Sequence, residues 1–277
     1  MADRHVLGIS GGKDSAALAL YMANKNPELS IEYFFTDTGN ELPEVYEFLN
    51  KLEAVLGKTI KRLNPQKNFE WWLKTYNHFL PSPQQRWCTI NLKLVPFEKW
   101  VSSFPPEDTV YNYVAIRYDE RSRKGLQSSD KRLITVLPFV EAGIDKEGVY
   151  SILNNSPVKL PKYYEWRSRS GCTFCFYQQK IEWVRLRERH PEDFEYAKSL
   201  EKNSIDHGSP FTWSQGESLE ELSQPERIES IKKDYEQRVE RLKRKYKPNP
   251  LLPNTNEAPI DNDELFGDGQ GCNICHK

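Results

Sequence analysis

The stretch VLGISGGKDSAALALYM, from Val6 to Met22, constrains the fold more than any other part of the chain. A hydrophobic run enters a tight cluster of Ser10, Gly11, Gly12, Lys13, Asp14 and Ser15, and an Ala/Leu-rich run with helical spacing leaves it. A glycine cluster between a strand and a helix lets backbone N–H groups approach phosphate oxygens, and the helix N-terminus adds positive potential. Spacing excludes two common phosphate loops. The dinucleotide pattern G-x-G-x-x-G does not fit Gly8, Gly11 and Gly12. The pattern G-x-x-x-x-G-K-S/T fails as well, because counting back from Gly12 lands on Leu7 and Asp14 follows the lysine.

The alternation continues downstream. IEYFFT reads as a second strand and ends in the polar turn DTGNELP. Pro43 then opens a helix whose apolar face is Val45, Phe48, Leu49, Leu52, Val55 and Leu56, and TIKRL is a third strand. Strand, helix, strand, helix, strand implies right-handed crossovers and a mostly parallel sheet. The expected class is therefore α/β, a Rossmann-like parallel sheet with flanking helices. TVYNYVAI and RLITVLPF add two strands, and Asp145 is placed to cap a short helix through Val149, Ile152 and Leu153. A charged helical segment runs from Gln178 to about Asn203 with a break near Pro191. Glu226 to Tyr246 is a further helix, with Ile228, Ile231, Tyr235, Val239, Leu242 and Tyr246 at 3–4 spacing. The last thirty residues, rich in Pro, Asn and Asp, read as an extended tail. This organisation predicts a nucleotide-binding domain over 1–165, a helical, cysteine-bearing region over 166–247 and a tail over 248–277.

Charge narrows the partners. With 39 Lys+Arg against 40 Asp+Glu there is no global field to steer a polyanion, so nucleic-acid binding has to come from local patches. The basic residues Lys232, Lys233, Arg238, Arg241, Lys243, Arg244 and Lys245 on the late helix are one such patch, interspersed with Asp234, Glu236 and Glu240. No apolar run approaches the roughly 18–20 residues that span a bilayer, which predicts a cytoplasmic protein with no membrane partner. The five cysteines, Cys88, Cys172, Cys175, Cys272 and Cys275, include two C-x-x-C pairs, and without a secretion signal they favour metal, cluster or redox chemistry over disulfides. The five histidines form no ligand-spaced set, although His276 adjoins Cys275. The tryptophans and tyrosines, Trp71 and Trp72 included, are expected in the core.

The string S-G-G-K-D-S at a strand–helix junction resembles the PP-loop of the adenine-nucleotide alpha-hydrolase, or ATP pyrophosphatase, superfamily. That resemblance implies cleavage of ATP between the α- and β-phosphates. Ser10, Gly11, Gly12 and Ser15 would then donate to pyrophosphate, Lys13 would act as a mobile cation, and Asp14 would hold the loop or help place Mg²⁺. DTG, with Asp37 and Thr38, resembles the nucleotide-side turn of the branch that contains the sulfonucleotide reductases. In the same branch, QRWCTINLKLVPF resembles an R-x-C…K…P segment and supplies Arg86, Cys88 and Lys93. VAIRYDERSRKG resembles a G-x-R-x-x-E-S-x-R segment through Arg117, Glu120 and Arg123, with Ala115 and Arg121 departing from the pattern. Arginines suit phosphate or sulfate through bidentate hydrogen bonding.

Two thiolates three residues apart can share one metal or cluster. Zinc is natural for Cys172, Cys175, Cys272 and Cys275. The resemblance instead implies a 4Fe–4S cluster on Cys88, Cys172, Cys175 and Cys275, with Cys272 in reserve for the fourth position. Within the superfamily, R-W-C-T…L-K…P and the later G-C-x-x-C resemble the iron–sulfur ATP pyrophosphatase of bacterial DNA phosphorothioation systems. This implies ATP, Mg²⁺ and the cluster as cofactors, and a cysteine desulfurase, DNA-modification proteins and DNA as partners. Lys13, Asp14 and Asp37 would be the catalytic residues. A sulfonucleotide reductase is the competing enzyme. Such reductases tend to have a degraded loop without the lysine, whereas Ser10 to Ser15 is intact here. A nucleotide-dependent partner protein in a modification or defence complex is the non-enzymatic reading.

Overall fold

The computed structural model describes residues 2–123, 128–209, 211–214 and 216–245. The tail expected over 248–277, with Cys272, Cys275 and His276, lies outside the described residues.

Five strands form one parallel sheet: β1 (Asp3–Gly8), β2 (Ile31–Phe35), β3 (Ile60–Arg62), β4 (Thr109–Tyr113) and β5 (Leu133–Val136). Their spatial order is β3-β2-β1-β4-β5, with Leu7 of β1 registered against Tyr33 on one side and Tyr113 on the other. β1 is thus central and buried on both faces, which is why VLGI is continuously apolar rather than alternating. The chain runs from β1 outward to β2 and β3, then returns to the other side of β1 for β4. That reversal leaves a crevice at the C-terminal ends of β1 and β4, where ligands bind in sheets of this kind.

Helices α1 (Lys13–Lys25) and α2 (Pro43–Leu56) follow β1 and β2, and α3 (Phe69–Thr75) follows β3. Next comes a continuous helical run made of α4 (Trp87–Thr89), a π-helical turn (Ile90–Leu94) and α5 (Val95–Val101). The π turn sits where Pro96 would press its ring on the Leu92 carbonyl in regular α-helix, so widening the turn relieves that clash. Helices α6 (Pro138–Glu141) and α7 (Lys146–Asn154) follow β5, and Asp145 caps α7 by accepting from the Gly148 N–H. The C-terminal region holds α8 (Lys180–Arg189), α9 (Pro191–Asp206), α10 (Leu219–Leu222) and α11 (Pro225–Lys245). Pro191 breaks α8 from α9 as expected, because it begins a helix readily and cannot continue one.

The two sheet faces bury different sets. Val6, Phe34 and Val110 pack on Phe97 and Trp100 of α5, with Phe34 stacked on Phe97 at 4.8 Å. Leu7, Tyr33 and Tyr113 face the larger core, which includes Ala16 of α1, Leu49 of α2 and Val149 of α7, and reaches Trp183, Phe194 and Trp213 in the C-terminal region. Trp71, Tyr76 and Tyr118 depart from expectation and are exposed. Phe69 and Leu73 take the inward face of α3, which turns Trp71 outward to 42% exposure.

Candidate active site

The loop leaving β1 is tied together by its own serines. The Ser10 N–H donates to Ser15 Oγ at 3.0 Å, the Gly12 N–H donates to Ser10 Oγ at 3.2 Å, and Ser15 Oγ donates to the Gly12 carbonyl at 3.2 Å. Gly11 has φ +75°, and a Cβ there would lie 2.6 Å from Val45 Cγ1 on α2, so only glycine fits. Gly12 opens α1 without a side-chain cap, so the helix presents backbone and dipole directly at the loop.

Lys13 is fully buried, which differs from the mobile cation expected of the loop. Its Nζ lies 3.8 Å from Asp14 Oδ2 and stands over the rings of Tyr164 at 5.2 Å and Tyr150 at 6.0 Å. Aromatic faces attract an ammonium, so the walls hold the charge in place. Asp14 in turn accepts from Arg117 Nη1 at 3.0 Å. Arg117, beyond β4, also meets Asp119 at 2.9 Å and Glu120 at 3.4 Å, and Glu120 is shared with Arg123 at 3.1 Å. Burial opposes the Arg117 charge, but Asp14, Asp119 and Glu120 outweigh it and raise its pKa above the ordinary value. Arg117 and Arg123, expected as phosphate ligands, are therefore paired with carboxylates, and Arg117 ties the first turn of α1 across the crevice to the end of β4.

A strap from a distant part of the chain closes over this loop. Tyr163 Oη donates to the Gly11 carbonyl at 2.7 Å, the Lys13 N–H donates to Tyr164 Oη at 3.2 Å, and Ser170 Oγ lies 3.5 Å from Ser10 Oγ. The strap is fastened from α8. Glu182 accepts from the Ser168 N–H at 2.5 Å and, as the capping residue of its own helix, from the Gln179 N–H at 2.8 Å. Arg185 Nη1 donates to the Trp166 carbonyl at 3.0 Å. Sequence reasoning missed Tyr163, Tyr164 and Ser170. Their signal, an aromatic pair and small polar residues just before the C-x-x-C, has no meaning until the fold brings it to the loop.

A sequence model of the phosphoadenosine phosphosulfate reductase domain matches residues 4–252. The chain belongs to this family. Among curated relatives, this reductase-family chain is 27% identical over 215 residues to an uncharacterised protein of Methanocaldococcus jannaschii, covering 73% of this chain and 43% of that protein. It is 24% identical over 264 residues to an uncharacterised 37.8 kDa protein of Escherichia phage 186, covering 72% of this chain and 74% of that one. The chain thus spans less than half the length of the archaeal relative and about three quarters of the phage one. Two solved structures are similar at 14% identity. The phosphoadenylyl-sulfate reductase of Candida auris, in a phosphate complex, has a TM-score of 0.48 over 61% of this chain and 81% of its own. The U34-tRNA thiolase NcsA of Methanococcus maripaludis, with its 4Fe–4S cluster, has a TM-score of 0.40 over 74% of this chain and 71% of its own. No helix among the described residues is long and apolar enough to cross a membrane.

In this reductase-family domain the β2 end of the site faces two ways. Asp37 Oδ1 accepts from the Gly39 N–H at 2.9 Å and from Tyr46 Oη at 2.8 Å. Asp37, Thr38 and Gly39 also line a cavity of about 450 Å³ with Asn64, Lys67 and Trp71, at the C-terminal ends of β2 and β3. Thr38, expected near the nucleotide, turns toward sulfur: its Oγ1 donates to Glu41 at 3.0 Å and lies 3.2 Å from Cys172 Sγ. Thr173 N–H donates to the Asn40 carbonyl at 2.7 Å, docking the C-x-x-C turn on the β2–α2 loop.

Cys88, Cys172 and Cys175 are all partly buried, and Cys175 acts electrostatically on both of the others. Burial, and then Cys175, push the Cys88 thiol up to about 12, while Lys93 pulls it down. Burial and Glu41 push Cys172 well above its ordinary value, again against Lys93. Three thiols and one ammonium therefore occupy a common region, although no three His, Cys, Asp or Glu side chains among the described residues stand at metal-ligand spacing. The donor chemistry fits a thiolate-bound cluster or zinc, since a metal would offset the charge that burial disfavours. Arg86 and Arg169 both stand over the Tyr177 ring beside these cysteines, at 5.7 Å and 5.0 Å.

Proposed function

We propose that the protein is an ATP pyrophosphatase that adenylates an acceptor so that sulfur can replace the activated oxygen. The observation that carries this reading is the intact loop from Ser10 to Ser15, with Lys13 buried at the start of α1 against Asp14. An acceptor oxygen would attack the α-phosphorus while the α–β bridge bond breaks and pyrophosphate leaves. Lys13, the loop N–H groups and the α1 terminus would offset the charge developing on that leaving group, and a Mg²⁺ ion held beside Asp14 would supply further positive charge. Asp14 would act through Lys13 and Arg117, and Asp37 would serve at the nucleotide's other side. Cys88, Cys172 and Cys175 would hold the cluster, with Cys275 from the tail as fourth ligand, and a bound cluster would supply a site for sulfur. The acceptor we favour is the DNA backbone, with a cysteine desulfurase and DNA-modification proteins as partners in the cytoplasm. This rests on the resemblance of the R-W-C-T…L-K…P and G-C-x-x-C strings.

The test is an anaerobic product assay with ATP, Mg²⁺ and candidate acceptors. AMP and pyrophosphate should appear, and Lys13→Met should slow their release by at least about a hundredfold, the scale of losing one charge-stabilising group. Orthophosphate as the product would sink the proposal, as would no product with any acceptor. A second reading, sulfonucleotide reduction, is favoured by the contact of Cys172 with the DTG turn. It predicts sulfite from a sulfonucleotide and a thiol reductant without ATP cleavage.

A further inference from the structure

Arg169 is 7% exposed, yet its Nε and Nη1 make no hydrogen bond, and no acidic side chain among the described residues pairs with it. A guanidinium cannot lose its proton to escape this cost, so an isolated buried one calls for an anion. Its immediate surroundings are cationic and aromatic. Arg169 and Arg86 share the Tyr177 ring, which places two like charges together on one platform. Its neighbour Arg167 is by contrast spent on backbone, donating to the Gly171 and Cys172 carbonyls at 3.3 Å and 2.7 Å. The strap therefore uses one arginine to shape the cysteine turn and leaves the other without an acidic partner among the described residues.

Arg169 also occupies a particular place. The next residue, Ser170, reaches Ser10 of the phosphate loop, and Cys172 follows two residues later. We propose that Arg169, with Arg86 across Tyr177, forms a subsite for a tetrahedral oxyanion of the phosphate class, between the phosphate loop and the thiols. Planar N–H forks match such oxygens bidentately, and the aromatic ring keeps the fork oriented. The assignment deepens the adenylation reading. A phosphate group there would stand where an acceptor meets both the ATP-cleaving loop and a sulfur donor.

The experiment uses the full chain with Arg169→Met, Arg169→Lys and Lys13→Met, so that phosphate bound at the loop is separated from phosphate bound at the strap. Inorganic phosphate should raise the melting temperature of Lys13→Met, and that rise should vanish in the Lys13→Met/Arg169→Met double variant. Without phosphate, Arg169→Met should melt no lower than wild type, because an uncompensated buried charge has been removed. Calorimetric titration then distinguishes the sources. A loss of about tenfold to a hundredfold in affinity, the worth of one charge-assisted pair, for a dithymidine dinucleotide assigns the oxyanion to the acceptor. The same loss for ATP assigns it to the nucleotide. Arg169→Lys should recover part of either loss. Unchanged affinity for both probes in Arg169→Met overturns the proposal. So does a loss of bound iron with anion affinity intact, since Arg169 would then be a counter-ion for thiolates. None of these readouts needs turnover, so failure of the pyrophosphatase assay would leave the subsite standing or falling on its own.

Discussion

Asp14 and Arg117 form a buried ion pair at 3.0 Å that joins the first turn of α1 to the end of β4 across the crevice of the sheet. Both side chains are 3% exposed, so neither can fall back on water if the other is lost. Removing Asp14 takes away the acceptor of Arg117 Nη1 while Asp119 and Glu120 still face the guanidinium. Asp14→Ala should therefore lower stability by about 1–3 kcal/mol, the cost of an unmet buried donor, whereas Asp14→Asn should lose less because the amide oxygen can still accept from Arg117. Chemical denaturation of the two variants checks this. Equal stability of Asp14→Ala and wild type would refute the structural role and return Asp14 to chemistry alone.

Gly11 is required twice over, by its φ of +75° and by Val45 Cγ1 at 2.6 Å from any added Cβ. Gly11→Ala should cost about 1–3 kcal/mol from backbone strain, with a further steric penalty. The double variant Gly11→Ala/Val45→Ala should relieve the steric part only, leaving the strain measurable as the residual loss in denaturant midpoint.

The thiol region predicts a metal signature. Anaerobically purified protein should carry iron and a broad absorbance that Cys88→Ser, Cys172→Ser and Cys175→Ser each abolish. Thr38→Val should keep the iron, since Thr38 contacts Cys172 without being a ligand type. One zinc and no iron per chain would replace the cluster with the alternative metal.

Glu217 links α8 to α11 by accepting from Lys180 at 2.6 Å and from Arg227. Hydrogen bonding from Arg227, then from Lys180, holds its carboxyl below the ordinary 4.5 against the opposing effect of burial. A lowered folded pKa contributes stability that is present above pH 4.5 and is lost as pH falls through the folded value. Wild type should thus lose stability on acidification below 4.5 more steeply than Glu217→Gln. Amide exchange along α11 should quicken over the same range in wild type, and no difference between the two proteins would remove the link.

The sequence alone determined the α/β class and the nature of the loop, because both are local. The apolar run of β1, the S-G-G-K-D-S turn and the face of α2 from Val45 to Leu52 are written in consecutive residues. Five strands and the Asp145 cap were legible for the same reason. Only the tertiary structure decided the order β3-β2-β1-β4-β5, which sets the crevice beside β1. It also decided that Lys13 is walled in by Tyr150 and Tyr164 and that Thr38 turns to Cys172. The same holds for the strap from Tyr163 to Ser170, which covers the loop. These contacts join residues more than a hundred positions apart. Periodicity reports whether a side chain is buried, but not which distant donor, acceptor or charge it will meet there.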